Sequence, residues 1–270
     1  MKVCMIFSEG PHDVAFIRNV LKFCCSATEQ TKIKIKDFPE PLASIFLEYI
    51  SKKDMGDLSL DMVQKFFFPD KVFKKDDYFI MLFYTGGNTK SSLVKEFISD
   101  LKFNIKNKPD KKSDFDIEKY IFINDADTNN YEDVIKSMKN SYFPIIDSET
   151  NETYLTENDG FYYVWHGANG KGTLEDILIK LLETSNTDLL SKSESFVKES
   201  FDNLRNPSDI PTQAKQYKAI LTSAGQGKSA GGSLNSILIK GKLITEDAFK
   251  SSEAVKDFAN FLNQIINWLF

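Results

Sequence analysis

Residues 2–23, which read KVCMIFSEGPHDVAFIRNVLKF, decide the fold class of this 270-residue chain. Val3 to Phe7 form a short continuous apolar run, which is typical of a strand buried on both faces of a sheet. Ser8 to Pro11 read as a turn, and apolar residues then recur at helical spacing over 13–23. A strand, a turn and a helix in this order form the unit that builds parallel sheets.

Three further segments repeat this unit. The pattern predicts buried strands at 78–84, 120–123 and 161–165, each followed by a turn and a helix, with the helices at 91–103, 131–138 and 174–182. We therefore expect an α/β fold, an open and mainly parallel sheet flanked by helices. Thr173 is expected to cap the last of these helices.

The rest of the chain is expected to add helices to one domain that spans residues 1–270. The core covers 1–184 and contains an insertion at 38–76, with helices predicted at 41–50 and 58–68. Ile33 and Ile35 alternate with Lys and predict a short strand before the insertion. Residues 185–270 are expected to form a helical C-terminal extension, interrupted by a flexible Gly/Ser stretch at 223–233.

The composition of the chain limits the classes of protein to which it can belong. Hydrophobic residues make up 41% of the chain and charged residues 27%, values that are typical of globular proteins and exclude wholly disordered chains. The formal net charge of −5 argues against a general nucleic-acid binder coated in cations. Three cysteines without CxxC spacing argue against a disulfide framework and a zinc site. Since no run of ~20 apolar residues occurs, we expect a cytoplasmic protein without a membrane partner.

Acidic residues follow two of the predicted strands. Glu9 and Asp13 lie in the turn after the first strand, and Asp125 and Asp127 follow the third. Because ligands of such sheets bind outside the carboxyl ends of the strands, these acids are expected to converge there. Clustered carboxylates repel one another, and a hard cation such as Mg²⁺ relieves that repulsion. The alternative is that Glu9 and Asp125 cap helices and that Asp127 is a turn residue.

These motifs resemble the Toprim family of metal-dependent catalytic domains. The Glu9-Gly10 turn and the Asp125-Ala126-Asp127 turn match the two motifs of that family, and the form EGPHD at 9–13 is similar to its overcoming-lysogenization-defect nuclease branch. The Gly86-Gly87 turn also resembles that branch, and 172–178 is similar to a segment of an uncharacterised bacterial Toprim-like family. The chain departs from many members at residues 128–130, which lack the glycine that follows their Asp-x-Asp.

The resemblance implies a role for each acid. Asp125 and Asp127 would bind Mg²⁺ or Mn²⁺, and Glu9 would bind metal or act as general acid or base. Asp13, together with Glu175, would complete a second metal site, and two ions would stabilise both the attacking and the leaving oxygen. For Glu175, a helix-dipole role is the alternative, because acids are favoured at a helix N-terminus.

Other residues are candidates for contacts with a polyanion. The turn at 85–90 follows a strand and opens a helix, so Gly86, Gly87 and Lys90 are expected to bind phosphate. Lys218 lies near the predicted flexible loop and would stabilise a charged transition state when that loop closes. The alternative is a solvated lysine on a helix face. His12 lies in the acidic turn and His166 at the end of the fourth predicted strand. Either would shuttle a proton, and the alternative is a surface or hydrogen-bonded imidazole.

The sequence thus favours a Toprim-like, metal-dependent nuclease acting on DNA or RNA. The main alternative is a non-catalytic Toprim-shaped module that binds nucleic acid or a protein partner. A nucleotide-binding phosphotransferase that uses 86–90 is the third hypothesis. The apolar C-terminal residues 265–270 predict core packing or a contact in a homodimer.

Overall fold

The computed structural model describes residues 2–51, 68–86, 91–107, 117–142, 160–167, 169–241 and 243–267. These residues contain six strands, which are β1 Lys2–Ser8, β2 Thr28–Glu29, β3 Lys71–Lys75, β4 Tyr78–Tyr84, β5 Ile117–Asp125 and β6 Gly160–Trp165. The six strands form one sheet in the order β2-β3-β4-β1-β5-β6. Strands β4, β1, β5 and β6 are parallel to one another. Beyond β4, strand β3 pairs antiparallel with β4, and β2 pairs antiparallel with β3. The predicted α/β class with a mainly parallel sheet is confirmed.

The described residues contain nine α-helices that lie on the two faces of the sheet. They are α1 Pro11–Phe23, α2 Leu42–Ser51, α3 Ser91–Asn107, α4 Tyr131–Tyr142, α5 Leu174–Ser200, α6 Ile210–Lys228, α7 Leu234–Ile239, α8 Glu246–Ser251 and α9 Glu253–Asn267. Helix α1 and helices α5–α9 share one apolar cluster, and α2, α3 and α4 share the other. The C-terminal helices therefore cover the same face of the sheet as α1. There the ring of Phe16 lies 5.5 Å from Phe249 and 6.3 Å from Phe258.

The alternating direction of side chains along each strand explains the two apolar clusters. In β1, Cys4 and Ile6 belong to the cluster with α1, whereas Val3, Met5 and Phe7 belong to the cluster with α2–α4. Successive side chains of a strand point to opposite faces, so a continuous apolar run requires helices on both faces. This requirement is what the apolar run at residues 3–7 predicted.

The structure differs from the sequence predictions in two elements. Strand β3, which pairs with β4, was not predicted, and its Lys-rich sequence KVFKK suits a strand near the sheet edge. Ile33 and Ile35 form no strand, since Ile35–Asp37 is a single 3-10 turn. The predicted helix at 58–68 falls, except for Phe68, outside the described residues, and Phe68 itself is not helical.

In the stretch at 223–233 that was predicted to be flexible, residues 223–228 are helical and form the end of α6. Gly225 faces α7 so closely that an added Cβ would lie 2.7 Å from Cδ1 of Ile237. The glycine therefore permits close helix packing at a position where composition alone indicates a loop. No helix of the described residues is long and apolar enough to cross a membrane.

Candidate functional site

The acidic residues predicted from the sequence meet at the carboxyl ends of the parallel strands. In the sheet register, Ser8 of β1 is level with Ile123 of β5, so Glu9 and Asp125 leave neighbouring strands at the same edge. Neighbouring strands are about 4.8 Å apart, which keeps these turns close. Asp125 is paired in turn with Trp165 at the end of β6. The ends of β1, β5 and β6 therefore lie side by side beneath one cluster of acidic residues.

Helix α5 brings a further acid to this edge. The backbone N–H of Leu174 donates a 2.8 Å hydrogen bond to Oδ1 of Asp125, which ties the helix N-terminus to the end of β5. Glu175, the next residue, is 2% exposed. The Asp125 carboxylate is therefore held by a helix N-terminus, where the helix dipole favours negative charge.

The turn before α5 holds Asp127 in place. The N–H of Asp127 donates to the carbonyl of Gly172 at 2.8 Å, and the N–H of Gly172 donates back at 2.9 Å. Asp127 adopts a φ of +51° and is exposed. At Gly172 φ is +114°, and an added Cβ would lie 2.6 Å from Oδ2 of Asp176. Only glycine fits this position without strain.

Asp13 lies inside the cluster with both carboxylate oxygens engaged. Its Oδ2 accepts a 3.0 Å hydrogen bond from the N–H of Gly10, and its Oδ1 accepts one of 2.8 Å from Nε1 of Trp165. The residue is 6% exposed. Asp13 therefore fixes the start of α1 against the end of β6, a structural task that the sequence alone did not indicate.

The pKa values of three acids are raised, and the causes show that the acids lie near one another. Burial, together with the nearby carboxylates of Asp13 and Asp127, raises the pKa of Glu9 to about 7. Burial and the nearby Glu175 raise the pKa of Asp13 to about 6. For Asp125, burial together with Asp13 and Glu175 raises the pKa to about 9. Folding thus gathers acids from three segments into a poorly solvated space.

Glu175 differs, because two basic side chains contact it. Burial by itself would raise the pKa of this carboxyl group, but the nearby His12 side chain and the charge of Lys218 outweigh burial and lower it. The Lys218 Nζ lies 3.4 Å and the His12 Nδ1 3.8 Å from Oε1 of Glu175. Lys218 also lowers the pKa of Glu9. This lysine does reach the acidic cluster, but from helix α6 and not from a flexible loop.

The predicted phosphate turn has a different role at Gly86. Its backbone N–H donates a 3.0 Å hydrogen bond to the carbonyl of Glu9, so this amide is occupied within the fold. A φ of +73° accounts for the glycine at this position. Gly87 and Lys90, the other two predicted phosphate-binding residues, lie outside the described residues.

A divalent cation fits the chemistry of this cluster, although the side chains are not drawn together around one point. Among the described residues, no three His, Cys, Asp or Glu side chains are close enough to form a ready-made metal site. Yet Oε1 of Glu9 and Oε2 of Glu175 are buried and accept no hydrogen bond within the described part of the chain. Buried carboxylate oxygens without a donor are suitable ligands for Mg²⁺ or Mn²⁺.

A polar cavity opens beside the acids. It has a volume of about 460 Å³ and lies between the end of β5 and helix α4, with Asp125, Asp127 and Tyr142 in its lining. Burial and the charge of Glu9 raise the pKa of Tyr142 to about 12, so its hydroxyl stays protonated near neutral pH. The cavity gives a ligand access to the acids from solvent.

Two contacts of the site were not predicted from the sequence. Asp176 accepts a 2.8 Å hydrogen bond from the N–H of Thr173, as in a capping box, and the spacing Thr-x-x-Asp was available as a signal. Thr173 itself takes the predicted N-cap position. The contact of Trp165 with Asp13 joins residues 152 positions apart and leaves no local pattern.

Comparisons with known proteins show the family and the fold. A family model described as "Protein of unknown function (DUF3226)" matches residues 4–267. No curated protein matches the chain. Among solved structures, the chain is similar to the hypothetical protein PH0156 from Pyrococcus horikoshii OT3, with a TM-score of 0.52 and 16% identity over 98% of this chain and 95% of that chain. At this identity, the similarity shows a shared fold alone.

Proposed function

The chain belongs to the DUF3226 family of proteins of unknown function, and we propose that it is a metal-dependent nuclease or related phosphodiester-cleaving enzyme of Toprim type. The observation that carries the proposal is the convergence of Glu9, Asp125 and Asp127 with the buried Glu175 at one sheet edge. Ionised carboxylates at such proximity destabilise a fold unless bound protons or a cation offset their charge.

Three acids are proposed to hold the cation. Glu9 offers a buried oxygen without a donor, Asp125 has one oxygen beyond its bond to Leu174, and Asp127 lies at the exposed rim. A divalent cation held there would stabilise the charge that develops on a phosphodiester during cleavage. Glu175 is proposed as the ligand of a second ion, because its Oε2 is also buried without a donor.

Asp13 and Lys218 are assigned roles beside the ligands. Both oxygens of Asp13 accept hydrogen bonds from the fold, so we assign it to positioning the Glu9 turn and not to the first ion. Lys218 is half exposed and reaches Glu175 from outside, which lets its ammonium group contact a substrate phosphate. Glu9, at the end of β1, would hold or move a proton when it is not bound to the cation.

The proposal is tested by incubating the protein with plasmid DNA, single-stranded DNA and structured RNA in Mg²⁺, Mn²⁺ or EDTA. Cleavage is expected with a metal and not with EDTA. Asp125→Asn and Asp127→Asn are expected to reduce it at least a hundredfold, because each removes a ligand charge. Asp247→Asn, at an exposed position on α8, is the matched control and is expected to retain full cleavage.

Three results would contradict the proposal. Cleavage that persists in Asp125→Asn would point to a contaminating nuclease. Tight binding of nucleic acid or of a protein partner, without cleavage in either metal, would favour the non-catalytic module instead. Stabilisation by nucleotides without cleavage of any substrate would favour the phosphotransferase hypothesis.

A further inference from the structure

A second cavity lies close to the acidic cluster, beyond the end of β6. It has a volume of about 350 Å³ and is formed by the start of α4, the edge strand β6 and one face of α9. Its lining combines flat rings with amide side chains. This combination differs from that of the acid-lined cavity on the other side of α4.

The flat groups already stack on one another in this cavity. The imidazole of His166 lies parallel to the ring of Tyr131, with a centroid distance of 4.7 Å and an interplanar angle of 25°. His166 is exposed, whereas Tyr131 is half-buried beneath it. Deeper in the cavity, the rings of Tyr163 and Phe261 are 5.0 Å apart. A further planar ring entering on the exposed side of His166 would extend this stack.

Helix α9 supplies the polar groups that a heterocycle requires. Asp257, Asn260 and Gln264 line the cavity at spacings of three and four residues, so they share one face of the helix. All three are exposed. Amide side chains donate to and accept from base edges in pairs, and a carboxylate accepts from the amino group of a base.

The charge of the lining indicates which part of a nucleotide enters. None of the nine described residues that line the cavity is Lys or Arg, and Asp257 adds a negative charge. A phosphate group would therefore be repelled, whereas an uncharged ring would be accepted. The cavity volume also suits a single base with part of its sugar.

The cavity is adjacent to the acidic cluster along the chain. His166 directly follows Trp165, which is paired with Asp125 in the sheet. The N–H of Tyr131 donates a 2.9 Å hydrogen bond to Gly170, in the loop that leads to α5. A base in this cavity would leave its phosphate at the strand ends, within reach of the acids.

We propose that the cavity between α4, β6 and α9 binds a nucleobase, stacked on His166 and read by Asn260 and Gln264. The inference rests on the proposed function only in placing the phosphate at the acidic cluster. The base belongs either to a free nucleotide or to an unpaired position of a nucleic acid, and the chemistry of recognition is the same for both.

The test is a binding titration in EDTA, in which no cleavage occurs. Adenosine, cytidine and uridine are added to the protein and followed by saturation-transfer NMR and tyrosine fluorescence, with ribose 5-phosphate as the ligand that lacks a base. We expect nucleosides to bind and ribose 5-phosphate not to bind. A short single-stranded oligonucleotide is the second ligand, and its affinity relative to the nucleosides distinguishes a nucleic-acid base from a free nucleotide.

Variants assign the binding to this cavity. His166→Ala is expected to weaken nucleoside binding about tenfold or more, and His166→Phe to restore it, because stacking needs the plane and not the imidazole nitrogens. Asn260→Ala with Gln264→Ala is expected to reduce the differences in affinity among the nucleosides. Asn203→Ala, which changes an exposed amide outside the cavity lining, is the control and should bind as wild type.

The inference is overturned if no nucleoside binds at millimolar concentration, or if His166→Ala binds them as well as wild type. Its failure is distinguishable from that of the proposed function. Asp125→Asn is expected to lose cleavage and to bind nucleosides unchanged. If nucleosides bind in a way that depends on His166 but the protein cleaves no substrate, the nucleobase site is supported and the proposed nuclease activity is refuted.

Discussion

Neutralising Asp125 is expected to remove much of the pH dependence of stability in the metal-free protein. Burial and three neighbouring carboxylates raise the pKa of Asp125 to about 9, whereas an unfolded aspartate titrates near ~3.9. Between these values the folded protein binds more protons than the unfolded chain. The free energy of unfolding therefore falls as the pH rises through this window, and the stabilisation is complete only below the unfolded pKa.

The magnitude follows from the size of this window. Each pH unit corresponds to about 1.4 kcal/mol per proton, so from about pH 5 to about pH 7 Asp125 contributes an upper limit of about 3 kcal/mol. Relaxation and water entry around a partly exposed group reduce this to about 1–2 kcal/mol. For a chain of this size, that is a decrease in melting temperature of about 3–6 °C. Glu9, with its pKa raised to about 7, adds to the effect in the same direction.

The assay is urea unfolding in EDTA across this pH range for wild type, Asp125→Asn and Asp247→Asn. The amide introduced by Asp125→Asn cannot ionise, but its oxygen still accepts the hydrogen bond from Leu174. We therefore expect Asp125→Asn to show the smaller loss of stability with pH, and Asp247→Asn, at an exposed site, to follow wild type. A wild-type stability that is flat or rises over this range would refute the reasoning, as would equal slopes in wild type and Asp125→Asn.

Glycine substitutions test the packing at two places, beside Asp176 and between α6 and α7. Gly172→Ala is expected to cost about 2–4 kcal/mol, because it combines an unfavourable φ with a clash against Asp176, whereas Gly241→Ala, which has open space around it, should cost about 1 kcal/mol. Equal losses in thermal denaturation would contradict the clash. Gly225→Ala is expected to destabilise by about 1–2 kcal/mol, since overpacking against Ile237 exceeds the gain in helix propensity. Ile237→Val removes the clashing carbon and should relieve that loss in the double variant; a single variant that is more stable than wild type would contradict the packing.

The parallel core of the fold could be predicted because its strands are buried on both faces. The predicted bounds of Tyr78–Tyr84 match β4, and the predicted end of the first strand differs from that of β1 by one residue. Strand β3 was missed because three of its five residues are Lys, a composition that fits an antiparallel strand near the edge but carries no apolar run. Gly225 and its neighbours were misinterpreted as a loop because close packing onto α7 is a tertiary property.

The position of the acidic residues at one sheet edge could be predicted from the sequence, but the contacts that each of them makes could not. Position after a parallel strand was enough to bring Glu9 and Asp125 to one edge. The hydrogen bond from Trp165 to Asp13 and the ion pair of Lys218 with Glu175 depend on long-range packing. Whether an acid has a free oxygen is therefore information that only the structure supplies.

The central claim is tested most directly by crystals of the protein soaked in Mn²⁺ and measured at a wavelength where manganese scatters anomalously. The account predicts an anomalous peak between the carboxylates of Glu9, Asp125 and Asp127, with Glu175 beside a second position. Crystals of Asp125→Asn are expected to lose the first peak. A map with manganese only elsewhere on the surface, or with none at all, would contradict the claim that these carboxylates form a cation site.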